Sequence, residues 1–339
     1  MAKRTGKTVE LEKKPVIVSN AAAVGKKEGE GPLGHEFDAV FRDDSLGLKS
    51  WEKAESELLK RAVQKALSNG ETKKEEVDAI FSGDLLDQCI GSSFGLRGLK
   101  IPVCGLYGAC STMALSLCSA ALAIETGGFD CTVAATCSHF CSAEKQFRYP
   151  LEYGGQRTPT SQWTVTGAGA AVLKKSGSGP YIDKVHLGTI CDLGITDANN
   201  MGAAMAPAAK KTISDFLHDT GTSPEDYDMI LTGDLGAVGS SLLRELLNRE
   251  EGIDISLVHS DCGLLIFDRE GQDVHAGGSG CGCSASVLCS YILNRFRNGF
   301  FKSVLFVATG ALMSPVSSLQ GESIPAIAHA VLIKGGNDR

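Results

Sequence analysis

Asp78–Leu85 reads DAIFSGDL, and Asp228–Leu235 reads DMILTGDL, the same pattern 150 residues later. Each is an aspartate, an apolar run of strand length, then a small residue, Gly, Asp and Leu. Further landmarks recur in the same order. Cys110-Ser-Thr-Met-Ala-Leu parallels Cys283-Ser-Ala-Ser-Val-Leu, and each opens an apolar segment that closes at Gly127-Gly128-Phe129 or Gly299-Phe300-Phe301. Strands ending Ala135-Thr136 and Ala308-Thr309 come next, and Ala171-Val172-Leu173 is matched by Ala330-Val331-Leu332. Four landmarks in one order, at offsets of 150 to 173 residues, identify an internal duplication. The chain therefore reads as two pseudo-symmetric α/β halves, residues 1–178 with Cys110 and residues 179–339, linked through Lys174–Pro180, KKSGSGP.

Helix periodicity fills in each half. Trp51–Leu67 puts Ala54, Leu58, Leu59, Ala62, Val63, Ala66 and Leu67 on one face, with Ser50 as N-cap and Gly70 after the end. Thr212–Leu217, stopped near Gly221, is the shorter counterpart. These amphipathic helices belong on outer faces. The segments after Cys110 and Cys283 are apolar all round, which places them between two sheets. The expected layering is α-β-α-β-α.

Composition narrows the function classes. A hydrophobic content of 43% with 22% charged residues is that of a globular protein with a large core. A net charge of −7 argues against nucleic acid as a partner. The amino terminus, MAKRTGKTVELEKKP, is basic without an apolar core segment, so no signal peptide is expected. Met113–Ile124, the most apolar stretch, is too short for a transmembrane segment. Twelve cysteines without a signal peptide imply reduced thiols, most of them small buried hydrophobes.

Cys110 stands apart by position. It precedes a buried helix, where the dipole lowers a thiol pKa, and Gly108 permits a tight turn. A nucleophile and one more buried sulfur are both open readings of it. The GCGC at Gly280–Cys283 lacks the second ligand pair of a zinc site, so no metal is expected; its glycines suit close backbone approach. Asp84 and Asp234 recur in the paired GDL turns, which points to a structural, capping role for both.

The duplicated halves, the ACS at Ala109–Ser111 and the GAGAAVL at Gly167–Leu173 resemble the thiolase / ketoacyl synthase superfamily. The resemblance implies a thiolase-like fold, a homodimer, and Cys110 at the position of the acyl-accepting nucleophile. In members like ketoacyl-ACP synthase III, a histidine after the first strand of the second half and an asparagine before its buried helix complete the site. Here the histidine position falls near Gly233. The asparagine position falls in Gly277–Ser284, GGSGCGCS, where Ser279 is nearest; His275 lies on a different segment. A nucleophile without base or oxyanion donors loses most of its advantage, so no condensing activity is expected. An acyltransferase using Cys110 is the alternative.

Longer strings resemble one family more closely: SWEKAE, GDLLDQ, EKQFRYPLEYGGQ, DLGITD, AMAPAA, DCGLLI, AGGSGC and VATGALMSP. That is the stage V sporulation AD family, thiolase-like subunits of the spore dipicolinate uptake (SpoVA) system. The resemblance implies binding of dipicolinic acid (pyridine-2,6-dicarboxylate), alone or as its calcium chelate, and no cofactor. It also implies a peripheral location at the cytosolic side of the forespore or spore inner membrane, beside membrane subunits of that system.

The residues suit such a ligand. His139–Trp163 is a long insertion, and Glu144–Tyr149 brings cations and rings together. A guanidinium fork with a ring against its face would hold a flat dicarboxylate. Arg148 and Lys145 are candidates by position, with surface ion pairs or dimer contacts as the other reading. His139 either lines the pocket or is a satisfied core histidine. Ser279 and, at the rim of the last strand loop, Ser314 complete the candidate ligand contacts.

Overall fold

The computed structural model describes residues 2–148 and 157–336. The first half runs β1 (Val16–Val24), α1 (Trp51–Asn69), β2 (Ala79–Gly83), α2 (Ile90–Leu96), β3 (Val103–Gly105), α3 (Thr112–Thr126), β4 (Cys131–Ser138), α4 (Phe140–Phe147) and β5 (Gly167–Lys174). The second runs β6 (Tyr181–His186), α5 (Met201–Thr220), β7 (Met229–Thr232), α6 (Gly236–Glu251), β8 (His259–Asp261), α7 (Cys281–Val287), β9 (Ser303–Ala311), α8 (Pro315–Leu319) and β10 (Ala326–Lys334).

Hydrogen bonding orders these strands β8-β7-β9-β10-β6-β1-β5-β4-β2-β3. From the middle outward, β1, β5 and β4 pair antiparallel, then β4, β2 and β3 parallel. On the other side β6, β10 and β9 pair antiparallel, then β9, β7 and β8 parallel. β1 meets β6 at a single register pair, Val16 with Tyr181. DAIFSGDL contains β2 and DMILTGDL contains β7, and the two strands hold equivalent places in the order.

The layers follow from which faces are apolar. α1 buries Leu58, Leu59, Ala62, Val63 and Ala66 against the outer face of the first half-sheet, alongside Ile80, Val133, Ala170 and Val172. α5 and α6 cover the second through Met205, Ile213, Phe216 and Leu243. α3 and α7 lie between, with Met113, Leu117 and Ile124 packed near Val287, Phe306 and Val331. Each such fully buried Leu, Ile or Met side chain contributes roughly 1.5–3 kcal/mol. Ala109–Thr126 has the length and hydropathy of a membrane span, yet it forms this central layer. α7 continues through a π-helical turn, Leu288–Ile292, to Arg297.

α1 begins where Ser50 accepts a hydrogen bond from Lys53 N, and it ends at Gly70. α5 is far longer than the Thr212–Leu217 expectation. Its Ala- and Gly-rich first turns carry no amphipathic pattern, and Pro207 interrupts them. Packing supplies what pattern lacks: a Cβ at Gly202 would lie 2.7 Å from Gly239 N of α6, so the two helices touch backbone to backbone.

One close approach fixes the turn before α3. A Cβ at Gly310 in β9 would lie 2.1 Å from Gly108 O and 2.9 Å from Ser111 N. Gly310→Ala is therefore expected to destabilise the fold by about 1–3 kcal/mol in thermal or denaturant unfolding. Gly98→Ala, with nothing within 4 Å, should change stability by less than about 0.5 kcal/mol.

Candidate functional site

Cys110 sits in a single 3-10 turn, Ala109–Ser111, that leads into α3. Ala109 is held at φ 49°, a left-handed conformation unusual for a residue with a side chain. Hydroxyls tie the turn together. Ser111 Oγ donates to Gly108 O at 2.6 Å, Thr112 Oγ1 to Ala109 O at 2.6 Å, and Gly108 N to Thr112 Oγ1 at 3.1 Å. The sequence ACST thus presents a sulfur on a strained, well-braced corner.

The half-buried Cys110 faces the Asp234 carboxylate, the Ser279 hydroxyl and the Gly280 N–H. Burial pushes the thiol well above its usual range, and the neighbouring carboxylate pushes it further; the Gly280 and Ser279 donors oppose both. Asp234 is itself raised to about 6 by burial, against the donors that hold its charge. Gly280 N donates to Oδ2 at 2.8 Å, Ser279 Oγ to Oδ2 at 3.3 Å and Thr309 Oγ1 to Oδ1 at 3.2 Å. Moving the Cys110 proton onto Asp234 is therefore uphill, because burial and the neighbouring charge hold the thiol well above its usual range. The arrangement holds a neutral thiol beside an anion. It is not a thiolate–cation pair.

This corrects the expectation that Asp84 and Asp234 both cap the segment that follows them; Asp234 braces the Ser279–Gly280 loop and Thr309 instead. Asp84 does cap its turn, accepting from Leu86 N at 2.9 Å and from Ser92 N and Oγ at 2.6 Å each. Asp234 instead meets Cys110. Gly233, near the expected histidine position, is tightly packed, since a Cβ there would sit 3.0 Å from Ala308 Cα. The group that reaches the sulfur from this strand is one residue further on.

A cavity opens over Cys110, lined by Tyr107, Phe147, Arg148, Glu144, Gln162 and Ser279 among others. Arg148 reaches it from the end of α4, with Nη1 3.6 Å from Glu144 Oε1. That nitrogen is buried and makes no hydrogen bond among the described residues. Glu144 is raised by burial, against the pull of Arg148. Gln162 Nε2 donates to the backbone oxygens of Asp234 and Gly278, each at 2.7 Å, which orients the amide; its Oε1 is buried without a partner among the described residues.

Of the sequence candidates, Cys110, Arg148 and Ser279 line this cavity, whereas Lys145, His139 and Ser314 do not. Lys145 lies on the exposed face of α4, 2.6 Å from Glu52. His139 is a satisfied core histidine. Its Nδ1 accepts from Cys141 N at 3.1 Å at the start of α4, and its Nε2 lies 2.9 Å from Asp44 O. Ser314 is exposed, and its carbonyl accepts from Ser317 Oγ and Ser318 N at the start of α8. Tyr149 lies outside the described residues. His275, half-buried, is 3.3 Å from Asp273. The Cys281 thiol donates to Cys137 O at 2.9 Å and that of Cys283 to Gly233 O at 3.8 Å.

Sequence reasoning missed Asp234 and Gln162. A duplicated motif hides a residue whose neighbours differ between copies, and a lone glutamine in a loop carries no periodic signal.

Replacing the anion tests the electrostatics. Asp234→Asn should let the Cys110 pKa fall and raise its peptide-mapped alkylation rate with iodoacetamide at pH 8 by about tenfold or more. Unchanged labelling would mean that burial alone sets the thiol.

Comparison with known proteins places this geometry. The model of the stage V sporulation protein AD family matches residues 5–334. The stage V sporulation protein AD of Bacillus subtilis (strain 168) is 44% identical over 333 residues, which cover 98% of each chain. Among solved structures, cerulenin-bound OleA of Xanthomonas campestri aligns with a TM-score of 0.59 at 14% identity, over 97% of this chain and 99% of that one. The 3-oxoacyl-[acyl-carrier-protein] synthase III of Aquifex aeolicus VF5 aligns with a TM-score of 0.56 at 12% identity, over 94% and 99%. Those two likenesses establish the thiolase-like fold and nothing finer. Similarity over nearly its whole length shows that the chain belongs to the stage V sporulation protein AD family.

Proposed function

We propose that this chain binds pyridine-2,6-dicarboxylate in the cavity over Cys110, alone or as its calcium chelate, and performs no acyl condensation. The observation that carries the reading is Arg148 Nη1, a buried, charged donor that makes no hydrogen bond among the described residues, only a 3.6 Å ion pair with Glu144, in a cavity also lined by the Phe147 and Tyr107 rings. A buried donor without a hydrogen bond forfeits roughly 1–3 kcal/mol, part of which the Glu144 charge offsets and the rest of which a bound carboxylate would restore. The rings supply apolar faces for a flat heterocycle. Against condensation stands the protonated thiol of Cys110, next to a carboxylate instead of an imidazole.

The protein then serves a spore uptake system as its peripheral ligand-binding subunit, on the cytosolic side of the membrane and beside integral membrane subunits. Membership of the sporulation family supports that setting. The proposed oligomer is a homodimer built on β3. This strand ends the sheet order, and Val103, Phe94 and Tyr107 are exposed around it.

Isothermal titration with pyridine-2,6-dicarboxylate, with and without calcium, should give a saturable heat. Arg148→Gln should weaken binding at least about tenfold, and Cys110→Ala should weaken it without loss of any turnover. No heat at high micromolar ligand would remove the reading, and an acyl mass increment on Cys110 after incubation with acyl-CoA would install the acyltransferase in its place. For the dimer, antiparallel pairing of β3 with its copy places Cys104, exposed at the strand centre, opposite itself at disulfide distance. Mild oxidation should give a linked dimer that Cys104→Ser abolishes; a monomer mass in solution contradicts the assembly.

A further inference from the structure

An apolar patch at the cavity mouth has no counterpart in the binding reading. Two segments form it. The first, residues 187–195, extends β6 along β10 through the Cys191–Ala326 bridge. The second is α8 and its flanks, between β9 and β10. They are tied together where Ile324 N donates to Ile195 O at 2.7 Å and Ser323 Oγ donates to Asp192 Oδ2 at 2.6 Å. Large apolar side chains stand in solvent on both: Ile190 at 58%, Leu193 at 68%, Val316 at 64% and Leu319 at 89% exposure. The patch runs into the cavity, because Ala198 and Asn199 follow the first segment and Met313 precedes the second.

The two segments carry only acidic charge, and the nearby Lys7, Lys210 and Lys211 are already paired with Asp215, Glu250 and Glu251. Lysine and arginine make up 33 of the 339 residues, yet none falls in 187–209 or 311–333. Asp192, Asp197 and Glu322 are exposed here, and no ion pair joins them among the described residues. An anionic lipid surface would be repelled by these carboxylates, and a second copy docked face to face would bring like charges together. Apolar anchors ringed by unpaired carboxylates fit a polypeptide segment with apolar side chains flanked by lysine or arginine.

We infer that this face docks a basic, apolar-bearing segment of a partner protein, seated over the mouth of the Cys110 cavity. The inference stands on the surface alone and does not require the ligand to be pyridine-2,6-dicarboxylate. A partner seated there would sit next to the cavity, since Ala198, Asn199 and Met313, which adjoin the two segments, are among its lining residues.

Site-specific photo-crosslinking in sporulating cells tests it. The full chain would carry p-benzoylphenylalanine in place of Leu193, of Leu319 or, as control, of Leu257, which is 98% exposed before β8 at the opposite end of the sheet. The expected result is one adduct shared by positions 193 and 319 and absent from 257, mapped by mass spectrometry to a segment bearing apolar and Lys/Arg residues. Asp197→Lys with Glu322→Lys should reduce it at least about tenfold at unchanged thermal stability. No adduct, adducts on lipid, on a second copy or on an acidic segment, or indifference to the charge reversal would overturn the inference.

Discussion

The helix Thr112–Thr126 has no polar face, so it can be stable only when covered on every side. Two half-sheets cover it, and the second apolar helix, Cys281–Val287 with its continuation, shares the same layer. That burial sets the rest of the molecule. Both central helices start at the same end, so the turn carrying Cys110 and the glycine loop ending at Gly280 are brought against each other. Glycine at 310 admits the first turn, and the small residues of 277–284 admit the second. A site at this junction is a consequence of the core.

What that site does depends on a single exchange of partner. A thiol beside an imidazole can pass its proton and become a nucleophile. Beside the buried carboxylate of Asp234 it keeps the proton and acts as a donor. The same carboxylate accepts from Ser279, Gly280 and Thr309, so it is fixed by both the loop and β9. The charge is thereby committed to holding the cleft in shape. Polar atoms without a hydrogen bond among the described residues are elsewhere in the cavity, at Arg148 Nη1 and Gln162 Oε1, where a bound molecule can meet them.

Pseudo-symmetry explains why the two halves look alike and act differently. Asp84 and Asp234 occupy equivalent turns. After Asp84 the chain coils into α2 and returns Ser92 to the carboxylate, which closes that turn on itself. After Asp234 the chain leaves as α6, and the carboxylate is met from a different segment. One motif thus serves as a cap in one half and as the partner of the sulfur in the other. The exposed segments 187–195 and 312–323 likewise belong to the second half only, and they shape the mouth of a cavity whose floor comes from the first.

Much of the architecture was legible in the residues. The paired GDL strings, the two all-apolar helices and the one-sided face of Trp51–Leu67 each carry a period or repeat that burial imposes on any sequence. Arg148 and Ser279 were within reach because their segments resemble a known pattern. α5 was read too short, because alanines and glycines packed backbone to backbone leave no hydrophobic period. His139 and Lys145 could not be separated from Arg148, since a loop that turns into a helix sends neighbouring side chains to opposite faces. By itself the sequence determined the duplication, the layers and the position of Cys110, all of which follow from local patterning and chain order. Only the tertiary structure decided that Asp234 faces the sulfur and that Arg148 lines the cavity above it, because both depend on which distant segments the close-packed core brings into contact.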